Sequence, residues 1–282
     1  MAITPALFTR PAFTPAVSIV TGGASGIGRA LTRSLDERGG RVIVADRDEA
    51  AVTALAESLG DRAIAVGIDV TEPGAVPALA QRSVEREGRL DLMANNAGAL
   101  LYGPVEEVEA RHWDQALALN LRAVIDGSQA AYAVMAPRRA GVILNTGSLA
   151  GLMVSPRQLP YTTTKHAVVA YSRALAIEAR ARRVRVHVLC PGFVDTKLLD
   201  EPLDPGEHTG SFRRYARTLQ PRLLTADEVA AAALRGIERG RTIIPVGAFT
   251  RAIWAIERLS PALMDAGSRF ATRRENEKTG LR

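Results

Sequence analysis

The feature that most constrains the fold of this chain is an alternation of short apolar runs with longer stretches of helical periodicity. Residues 41–46 read RVIVAD and residues 141–146 read GVILNT, and both runs are continuously apolar in their middle. Strands of a parallel sheet are buried on both faces and have this character, and strands that alternate with helices are typical of βαβ units. The predicted fold class is therefore α/β, a doubly wound parallel sheet of about seven strands with helices on both faces, in a single domain.

The predicted elements divide the chain into a tail, one large domain and an extension. Strands are predicted at residues 17–21, 41–46, 63–69, 90–95, 141–146, 184–190 and 241–245. Helices are predicted at residues 24–37, 48–59, 72–86, 106–135, 160–182, 225–239 and 248–270. We expect a flexible N-terminal tail at 1–15, the domain at 16–247, and an amphipathic helical extension at 248–282. Within the domain, residues 196–224 are rich in Pro and Gly, which predicts an irregular substrate lid.

Composition narrows the partners and the location. The net charge of +6 suits a nucleic-acid binder, but the arginines are scattered and not interleaved with aromatics, so no nucleic-acid partner is predicted. The single cysteine, Cys190, excludes a disulfide within the chain, and the four histidines lack ligand spacing, so no metal site is predicted. No apolar run reaches the ~18 residues of a membrane span, and the start of the chain lacks the apolar core of a signal peptide. A cytoplasmic location is therefore predicted.

The first predicted strand runs into a glycine-rich turn, TGGASGIG, which opens the first helix. Glycines there permit a tight turn and a close backbone approach, and the free N–H groups of the helix N-terminus suit a pyrophosphate. No Gly-Lys-Ser/Thr follows, which disfavours a P-loop. The context predicts a Rossmann-like dinucleotide site. Its predicted contacts are Thr21, Gly22, Ser25, Gly26, Ile27 and Gly28.

The end of the second predicted strand bears on which dinucleotide is bound. Asp46 can accept hydrogen bonds from the adenosine ribose hydroxyls and would repel a 2′-phosphate. Arg47 follows it and could instead pair with a 2′-phosphate, or face water as a solvated charge. NAD is therefore favoured through Asp46, and NADP is possible through Arg47. Asp69 and Val70 end the third predicted strand, where Asp69 could meet the adenine amino group or cap the next helix.

Tyr161 and Lys165 are four residues apart in a predicted helix, so they lie one above the other on one face. A phenol titrates near pH ~10, and an ammonium group beside it favours the phenolate. The pair therefore predicts an acid–base group that is usable near neutral pH. The same spacing arises by chance on many helices, so the other motifs of the chain decide its meaning.

With these motifs in order, the chain resembles the short-chain dehydrogenase/reductase family over roughly residues 16–245. The matching features are a TGxxxGxG turn at 21–28, an NNAG segment at 95–98, the helix asparagine Asn120, Ser148 before the tyrosine, the YxxxK pair Tyr161 and Lys165, and Pro191-Gly192 followed by Thr196. Six motifs in one order are far more specific than any single one.

The resemblance implies an NAD(P)-dependent oxidoreductase that acts on CH–OH groups, with residues 16–247 as its dinucleotide-binding and catalytic domain. Tyr161 would exchange a proton with the substrate oxygen, and Ser148 would hold that oxygen. Lys165 would lower the pKa of the tyrosine and contact the nicotinamide ribose, while Asn120 would hold a water that links Lys165 to solvent. The further cofactor contacts that it implies are Asn95, Ala97, Gly98, Tyr161, Lys165, Pro191, Gly192, Val194 and Thr196.

The segments expected to wall the substrate are mostly apolar and include Leu100, Leu149, Leu159 and Phe193. They predict a hydrophobic secondary alcohol or ketone that is steroid-, retinoid- or lipid-like, and a 3-oxoacyl thioester is the alternative. A non-catalytic nucleotide-binding regulator is an alternative from another class.

Two surfaces are expected to meet partners. Members of the family usually pair through two long helices, here 106–135 and 160–182, so a homodimer or homotetramer is expected. The extension at 248–282 has an apolar face with arginines around it. Packing on its own core or on a neighbouring subunit is favoured for this face, and contact with a membrane surface is the alternative.

Overall fold

A seven-stranded parallel sheet forms the centre of the protein. The structure, a computed structural model, describes residues 12–200 and 212–279, so parts of the predicted tail (1–11), lid (201–211) and extension (280–282) lie outside the described residues. The strands are β1 (Val17–Thr21), β2 (Arg41–Asp46), β3 (Ala63–Gly67), β4 (Leu92–Asn95), β5 (Gly141–Thr146), β6 (Val184–Pro191) and β7 (Ile243–Val246). Their spatial order is β3-β2-β1-β4-β5-β6-β7, and all neighbours are parallel. The predicted doubly wound α/β fold is confirmed.

Helices cover both faces of this sheet. The α-helices of the described residues are α1 (Gly26–Glu37), α2 (Glu49–Leu59), α3 (Ala75–Glu87), α4 (Ala110–Leu117), α5 (Ala123–Met135), α6 (Leu159–Ala179), α7 (Phe212–Leu219), α8 (Ala226–Glu238), α9 (Ala248–Leu259) and α10 (Pro261–Thr279). Helices α1, α2 and α8 pack in the core on one face, and α3, α5 and α6 in the core on the other.

Side-chain alternation along β2 shows why its apolar run is continuous. Val42 and Val44 belong to the core beneath α1, whereas Ile43 and Ala45 belong to the core beneath α3. Successive side chains of a strand point to opposite faces, so an unbroken apolar run fills both cores at once. With both faces covered, ligands can reach the sheet at the carboxyl ends of its strands.

Three segments differ from the expected elements. The helix predicted at 106–135 is divided, because a π-helical turn at Ala118–Arg122 separates α4 from α5. The predicted lid is not wholly irregular, since it contains α7 and a short 3-10 helix at Lys197–Leu199. The helix predicted at 248–270 is two helices, because Pro261 lacks an N–H and starts α10 after Ser260. Within 12–200 and 212–279, no helix has the length and apolar character that a membrane span requires.

The end of the predicted tail is anchored to the domain. The Phe13 backbone N–H donates to Glu238 Oε1 at 3.1 Å, and Arg38 Nη1 donates to the Phe13 carbonyl oxygen at 2.8 Å. The Arg185 guanidinium carbon lies 5.5 Å from the centre of the Phe13 ring. These contacts join Phe13 to the end of α1, to β6 and to α8.

A buried histidine in β6 makes stability depend on pH. His187 Nδ1 lies 2.7 Å from the Arg241 carbonyl oxygen, and Nε2 has no hydrogen-bond partner among the described residues. Burial lowers the pKa of His187 to about 4 from an ordinary value of 6.5. Between these two values the unfolded chain binds a proton that the folded chain does not bind. This contribution to stability is therefore complete above pH 6.5 and is lost as the pH falls toward about 4.

We expect acidification from pH 7 to pH 4 to remove roughly 3 kcal/mol of the free energy of unfolding through His187. The variant His187→Asn keeps a donor for the Arg241 carbonyl but cannot take up a proton in this range. Its free energy of unfolding in urea should therefore fall less over the same interval than that of the wild type. Equal losses in the two proteins would show that His187 does not govern the acid sensitivity.

Candidate active site

One cavity of about 1080 Å³ runs along the carboxyl edge of the sheet. Asp46 at the end of β2 and Asp69 after β3 line it on one side, and Ile253 of α9 and Met264 of α10 line it on the other. Because β3 and β7 are the outer strands and α9 follows β7, the cavity spans the width of the sheet. Doubly wound sheets bind their ligands at this edge, so this cavity is the candidate active site.

The turn between β1 and α1 shapes one half of the cavity. Gly22 has a φ of +62°, and a β-carbon added to it would lie 2.9 Å from Ala97 Cα. A β-carbon on Gly28 would lie 1.9 Å from the Gly22 carbonyl oxygen, so only glycine lets α1 begin this close to the turn. The first N–H groups of α1 have no partner within the helix and can bind an anion. The turn residues that line the cavity are Gly22, Ser25, Gly26 and Ile27, whereas Thr21 and Gly28 do not.

The carboxylate of Asp46 is fixed at the end of β2. Its Oδ2 accepts from the Ala24 N–H at 3.2 Å, and its Oδ1 accepts from the Asp48 N–H at 3.3 Å. Arg47 also lines the cavity and is exposed. A ligand at this end therefore meets a fixed carboxylate and an adjacent, exposed cation.

Asp69 and Val70 lie in the loop after β3, because the strand ends at Gly67 and not at residue 69. Asp69 Oδ1 accepts from the Thr71 hydroxyl at 2.7 Å and from the Thr71 N–H at 2.8 Å. These hydrogen bonds, with the charge of Arg47, lower the pKa of Asp69. Asp69 does not cap the next helix, because Gly74 occupies the N-cap position of α3.

Thr21 joins the ends of β1 and β4. Its Oγ1 accepts from the N–H groups of Asn96 and Ala97, at 3.0 and 3.2 Å. The Asn96 side chain donates back to the carbonyl oxygens of Thr21 and Gly22, at 3.1 and 3.2 Å. Thr21 therefore acts on the cavity through the backbone of residues 96 and 97, which line it.

Asn95 belongs to a buried polar cluster beneath the cavity. Its Nδ2 donates to Asn145 Oδ1 at 2.8 Å and to Ser128 Oγ at 3.2 Å. Asn145 Nδ2 in turn donates to Ser172 Oγ at 3.0 Å. The cluster ties β4 and β5 to α5 and α6, and its position indicates a structural role for Asn95 and not the direct cofactor contact that the sequence implied. In the NNAG segment, Asn96, Ala97 and Gly98 line the cavity.

Ser148, Tyr161 and Lys165 meet between the two ends of the cavity, and all three line it. Ser148 follows β5 and caps a 3-10 helix, and its Oγ accepts from the Ala150 N–H at 3.1 Å. Tyr161 and Lys165 project from the start of α6, with Lys165 Nζ 5.6 Å from the centre of the Tyr161 ring. Lys165 Nζ also donates to the Thr146 carbonyl oxygen at 3.0 Å. The fold thus brings three chemically active side chains to one place.

The protonation of this group differs from the expectation drawn from the sequence. Burial raises the pKa of Tyr161, and the hydrogen bond with Ser148 lowers it only in part. Burial also lowers the pKa of Lys165 to about 8. The expected lowering of the tyrosine pKa by Lys165 is not met, because desolvation disfavours both the phenolate and the ammonium ion. Tyr161 is therefore held as a neutral hydroxyl that can donate a proton.

Asn120 lies behind the cavity wall, in the π-helical turn. Its Oδ1 accepts from the Ala99 N–H and its Nδ2 donates to the Ala99 carbonyl oxygen, both at 2.9 Å. A β-carbon on Gly98 would lie 2.9 Å from Asn120 Oδ1 and 3.4 Å from Lys165 Nζ. Asn120 thus fixes the backbone of residue 99 near Lys165. A larger residue at position 98 would come too close to Asn120 Oδ1, so glycine is required there.

The loop after β6 lies over the glycine-rich turn. A β-carbon on Gly26 would lie 3.2 Å from Thr196 Cγ2, so the two segments are close neighbours. Pro191 at the end of β6 lines the cavity, and so do Gly192, Phe193, Val194 and Thr196 of this loop.

Arg213 of α7 fastens this loop. It donates to the Thr196 carbonyl oxygen at 3.0 Å and to the two carboxylate oxygens of Asp200 at 2.5 and 2.6 Å, and it also bonds Asp195. Asp195 and Asp200, whose carboxylates bind the Arg213 guanidinium, both lie in the segment that follows β6. Arg213 therefore links α7 to this segment. The sequence does not indicate this link, because its members come together only in the folded chain.

The other half of the cavity is an apolar chamber. Leu100, Leu149 and Phe193 line it, whereas Leu159, at the first position of α6, does not. The Phe193 ring packs against Phe212 with centres 5.9 Å apart. Further apolar lining residues come from α7, α9 and α10, and they are Phe212, Tyr215, Leu219, Phe249, Ile253 and Met264. The sequence shows an apolar face on the C-terminal segment but not that part of this face is turned toward the site.

Residues 16–204 match the model of a protein family described as short chain dehydrogenase. The chain belongs to the short-chain dehydrogenase family. Momilactone A synthase of Oryza sativa subsp. japonica is 36% identical to this chain over 225 residues, which cover 77% of this chain and 81% of that protein. The 15-hydroxyprostaglandin dehydrogenase (NAD(+)) of Mus musculus is 34% identical over 209 residues, which cover 71% and 74%.

A solved structure gives the same assignment for the fold. A short-chain dehydrogenase/reductase from Burkholderia phymatum in complex with NAD has 28% sequence identity and a TM-score of 0.79, and the match covers 91% of this chain and 96% of that one. Together these relations support an oxidoreductase that uses NAD(P), and they bear out the family resemblance seen in the sequence motifs.

The residues around the cavity fit a nicotinamide dinucleotide. Gly22 and Gly26, both with positive φ, leave room beside the N-terminus of α1 where a pyrophosphate would be held. Asp46 offers a fixed carboxylate for ribose hydroxyls at one side, and Lys165 offers a buried ammonium at the other. These groups would bind the two nucleotide halves and leave the apolar chamber for the substrate.

Proposed function

We propose that this dehydrogenase interconverts a hydrophobic secondary alcohol and its ketone, with NAD as the hydride carrier. The observation that carries the proposal is the position of the Ser148 and Tyr161 hydroxyls within one cavity. They lie between the half of the cavity that the glycine-rich turn lines and the apolar chamber. A substrate whose carbon skeleton occupies the chamber would present its oxygen to these two hydroxyls.

The chain's own residues account for the proton transfer. In reduction, the neutral Tyr161 hydroxyl donates its proton to the substrate oxygen, and in oxidation the tyrosine oxygen takes that proton back. Ser148 donates a hydrogen bond to the same oxygen and orients it. Lys165 places a positive charge near the phenolate while it exists, which stabilises it. When bound, the nicotinamide supplies or accepts the hydride at the carbonyl carbon.

The fixed carboxylate of Asp46 supports NAD over NADP. The 2′-phosphate of NADP would add a second negative charge beside a carboxylate whose two oxygens already accept backbone hydrogen bonds. Like charges in close contact are costly, so we expect kcat/KM with NADH to exceed that with NADPH by roughly tenfold or more. Arg47 would reduce this difference in kcat/KM, because its positive charge next to Asp46 can attract the 2′-phosphate.

A panel of carbonyl substrates with each cofactor, followed by the absorbance of the reduced nicotinamide, tests the proposal. The panel contains long-chain 2-ketones, ketosteroids and a 3-oxoacyl thioester. If only the thioester is turned over, the substrate class is a 3-oxoacyl thioester and not the proposed one. Cofactor binding without any turnover would favour a nucleotide-binding regulator. For the cofactor, Asp46→Asn should narrow the preference for NADH. The matched variant Asp48→Asn also removes one charge next to this site but retains a helix-capping side chain, and should leave the preference unchanged.

Assembly as a dimer or tetramer through the two long helical segments is also part of this proposal. The support is an apolar surface on these helices, where Leu117 at the end of α4 is 39% exposed and Ile177 of α6 is 78% exposed. A second copy would remove this surface from water.

A further inference from the structure

We infer that α10 is the outer wall of the substrate chamber and that its inner face sets the length of substrate that the site accepts. This inference rests on the proposed function, because it concerns the alcohol or ketone bound beside Tyr161. It assigns a selective role to a helix that lies after the region matched by the family model, which ends at residue 204.

One face of α10 is turned toward the cavity. Met264, Gly267, Ser268 and Ala271 recur at intervals of three and four residues, which places them on one side of a helix, and all four line the cavity. Large apolar side chains of the same helix point elsewhere, since Leu263 is 61% exposed and Phe270 is 63% exposed. The helix therefore has a cavity face made mainly of small residues and a separate outer face that carries large ones.

The small residues leave space in front of the helix. A β-carbon built on Gly267 has no atom within 4 Å, so this glycine is not required by contact with another part of the described chain. Glycine within a helix costs stability relative to alanine, and here no packing contact offsets that cost. Gly267 is exposed and Ser268 and Ala271 are half-buried, so this space is open to solvent, and a ligand that extends to this wall would cover it.

The route from the reacting oxygen to α10 is apolar. Phe212 and Tyr215 of α7 and Phe249 and Ile253 of α9 line the cavity between the catalytic residues and this helix. The Phe193 and Phe249 rings, whose centres are 6.3 Å apart, continue the apolar surface from the loop after β6 to α9. A long hydrocarbon skeleton would gain contact along this whole route, whereas a short one would end before α10.

Two substitutions of the same kind on α10 test the wall. Ala271→Leu adds three carbons on the cavity face, and Ala266→Leu adds them on an exposed position of the same helix that does not line the cavity. The probes are 2-undecanol as the long alcohol and 2-butanol as the short one, each oxidised with NAD. We expect Ala271→Leu to lower kcat/KM for 2-undecanol by roughly tenfold and to leave 2-butanol within about twofold. Ala266→Leu should leave both within about twofold.

A binding measurement separates this inference from the proposed function. In the presence of NAD, 2-undecanone should raise the Tm of the wild type and of Ala266→Leu more than that of Ala271→Leu. If the wild type oxidises neither alcohol yet the three proteins show these Tm shifts, the proposed function fails for these substrates, whereas the role of α10 as the chamber wall is supported. Three results would each overturn the role of α10 as the chamber wall. They are equal Tm shifts in the three proteins, no Tm shift in the wild type, and equal losses of kcat/KM for both alcohols in Ala271→Leu.

Discussion

Replacing Tyr161 by phenylalanine should lower kcat by roughly a thousandfold, within the range that positioned acid–base groups contribute. The ring is 7% exposed and packs among Leu100, Ala150 and Phe212, so the loss of one oxygen leaves the packing in place. The substitution removes the Tyr161 hydroxyl, which we propose as the proton donor, and leaves Ser148 and Lys165 in place. The affinity for NAD should change little, because the Gly22 turn and Asp46 are untouched.

Tyr171 provides a matched control for this result. It lies on the same helix, α6, and its hydroxyl does not line the cavity. Tyr171→Phe should therefore keep nearly full turnover, with kcat measured at saturating substrate and NAD affinity measured by calorimetry for both variants. More than a tenth of wild-type kcat in Tyr161→Phe would remove this tyrosine from the proposed proton transfer.

Replacing Lys165 should damage both turnover and cofactor binding. Its ammonium group is buried, donates to the Thr146 carbonyl oxygen and stands next to Gly98 on the cavity wall. We expect Lys165→Ala and Lys165→Met to lower kcat by roughly a hundredfold or more and to weaken NAD binding. Methionine retains most of the side-chain volume, so a loss shared by both variants is due to the charge and its hydrogen bonds and not to a cavity.

The pH dependence of NAD binding distinguishes the charge from other effects. The pKa of Lys165 is about 8, so the group is mostly protonated at pH 7 and mostly neutral at pH 9. The advantage of the wild type over Lys165→Met in NAD affinity should therefore be largest near pH 7 and shrink as the pH rises through about 8. An NAD affinity that is the same in the wild type and in Lys165→Met at pH 7 would refute the contact between this lysine and the cofactor.

The sheet and the placement of Tyr161 beside Lys165 are the parts that the sequence predicts best, for physical reasons. A strand buried on both faces is apolar along most of its length, so the apolar middle of residues 41–46 indicates β2 without knowledge of its neighbours. Tyr161 and Lys165 are joined by the pitch of a single helix, which is a local property. The glycine-rich turn is equally local, since the position of Gly28 relative to Gly22 is fixed within one strand-turn-helix unit.

Features that depend on distant parts of the chain are not contained in such local patterns. Asn95 meets Asn145 only because β4 and β5 are neighbours, so its structural contacts cannot be seen in the NNAG segment itself. The pKa of Tyr161 depends on how completely the folded chain removes its hydroxyl from water. The π-helical turn at Ala118–Arg122 is a third case, because Asn120 within it makes its side-chain hydrogen bonds to Ala99, which lies outside the helix.

The order of the parts along the chain has a consequence for how such an enzyme changes over evolutionary time. The residues that we propose for proton transfer and nucleotide contacts lie before or within the loop after β6. Three of the helices around the proposed substrate chamber, α7, α9 and α10, follow residue 204, where the family match ends. Substitution or replacement of the downstream stretch can therefore change the accepted compound while the reaction machinery is inherited intact. Leu100, Leu149 and Phe193 of the chamber lie before residue 204, so changes downstream can alter one part of the chamber while these wall residues and the proposed reaction residues are retained.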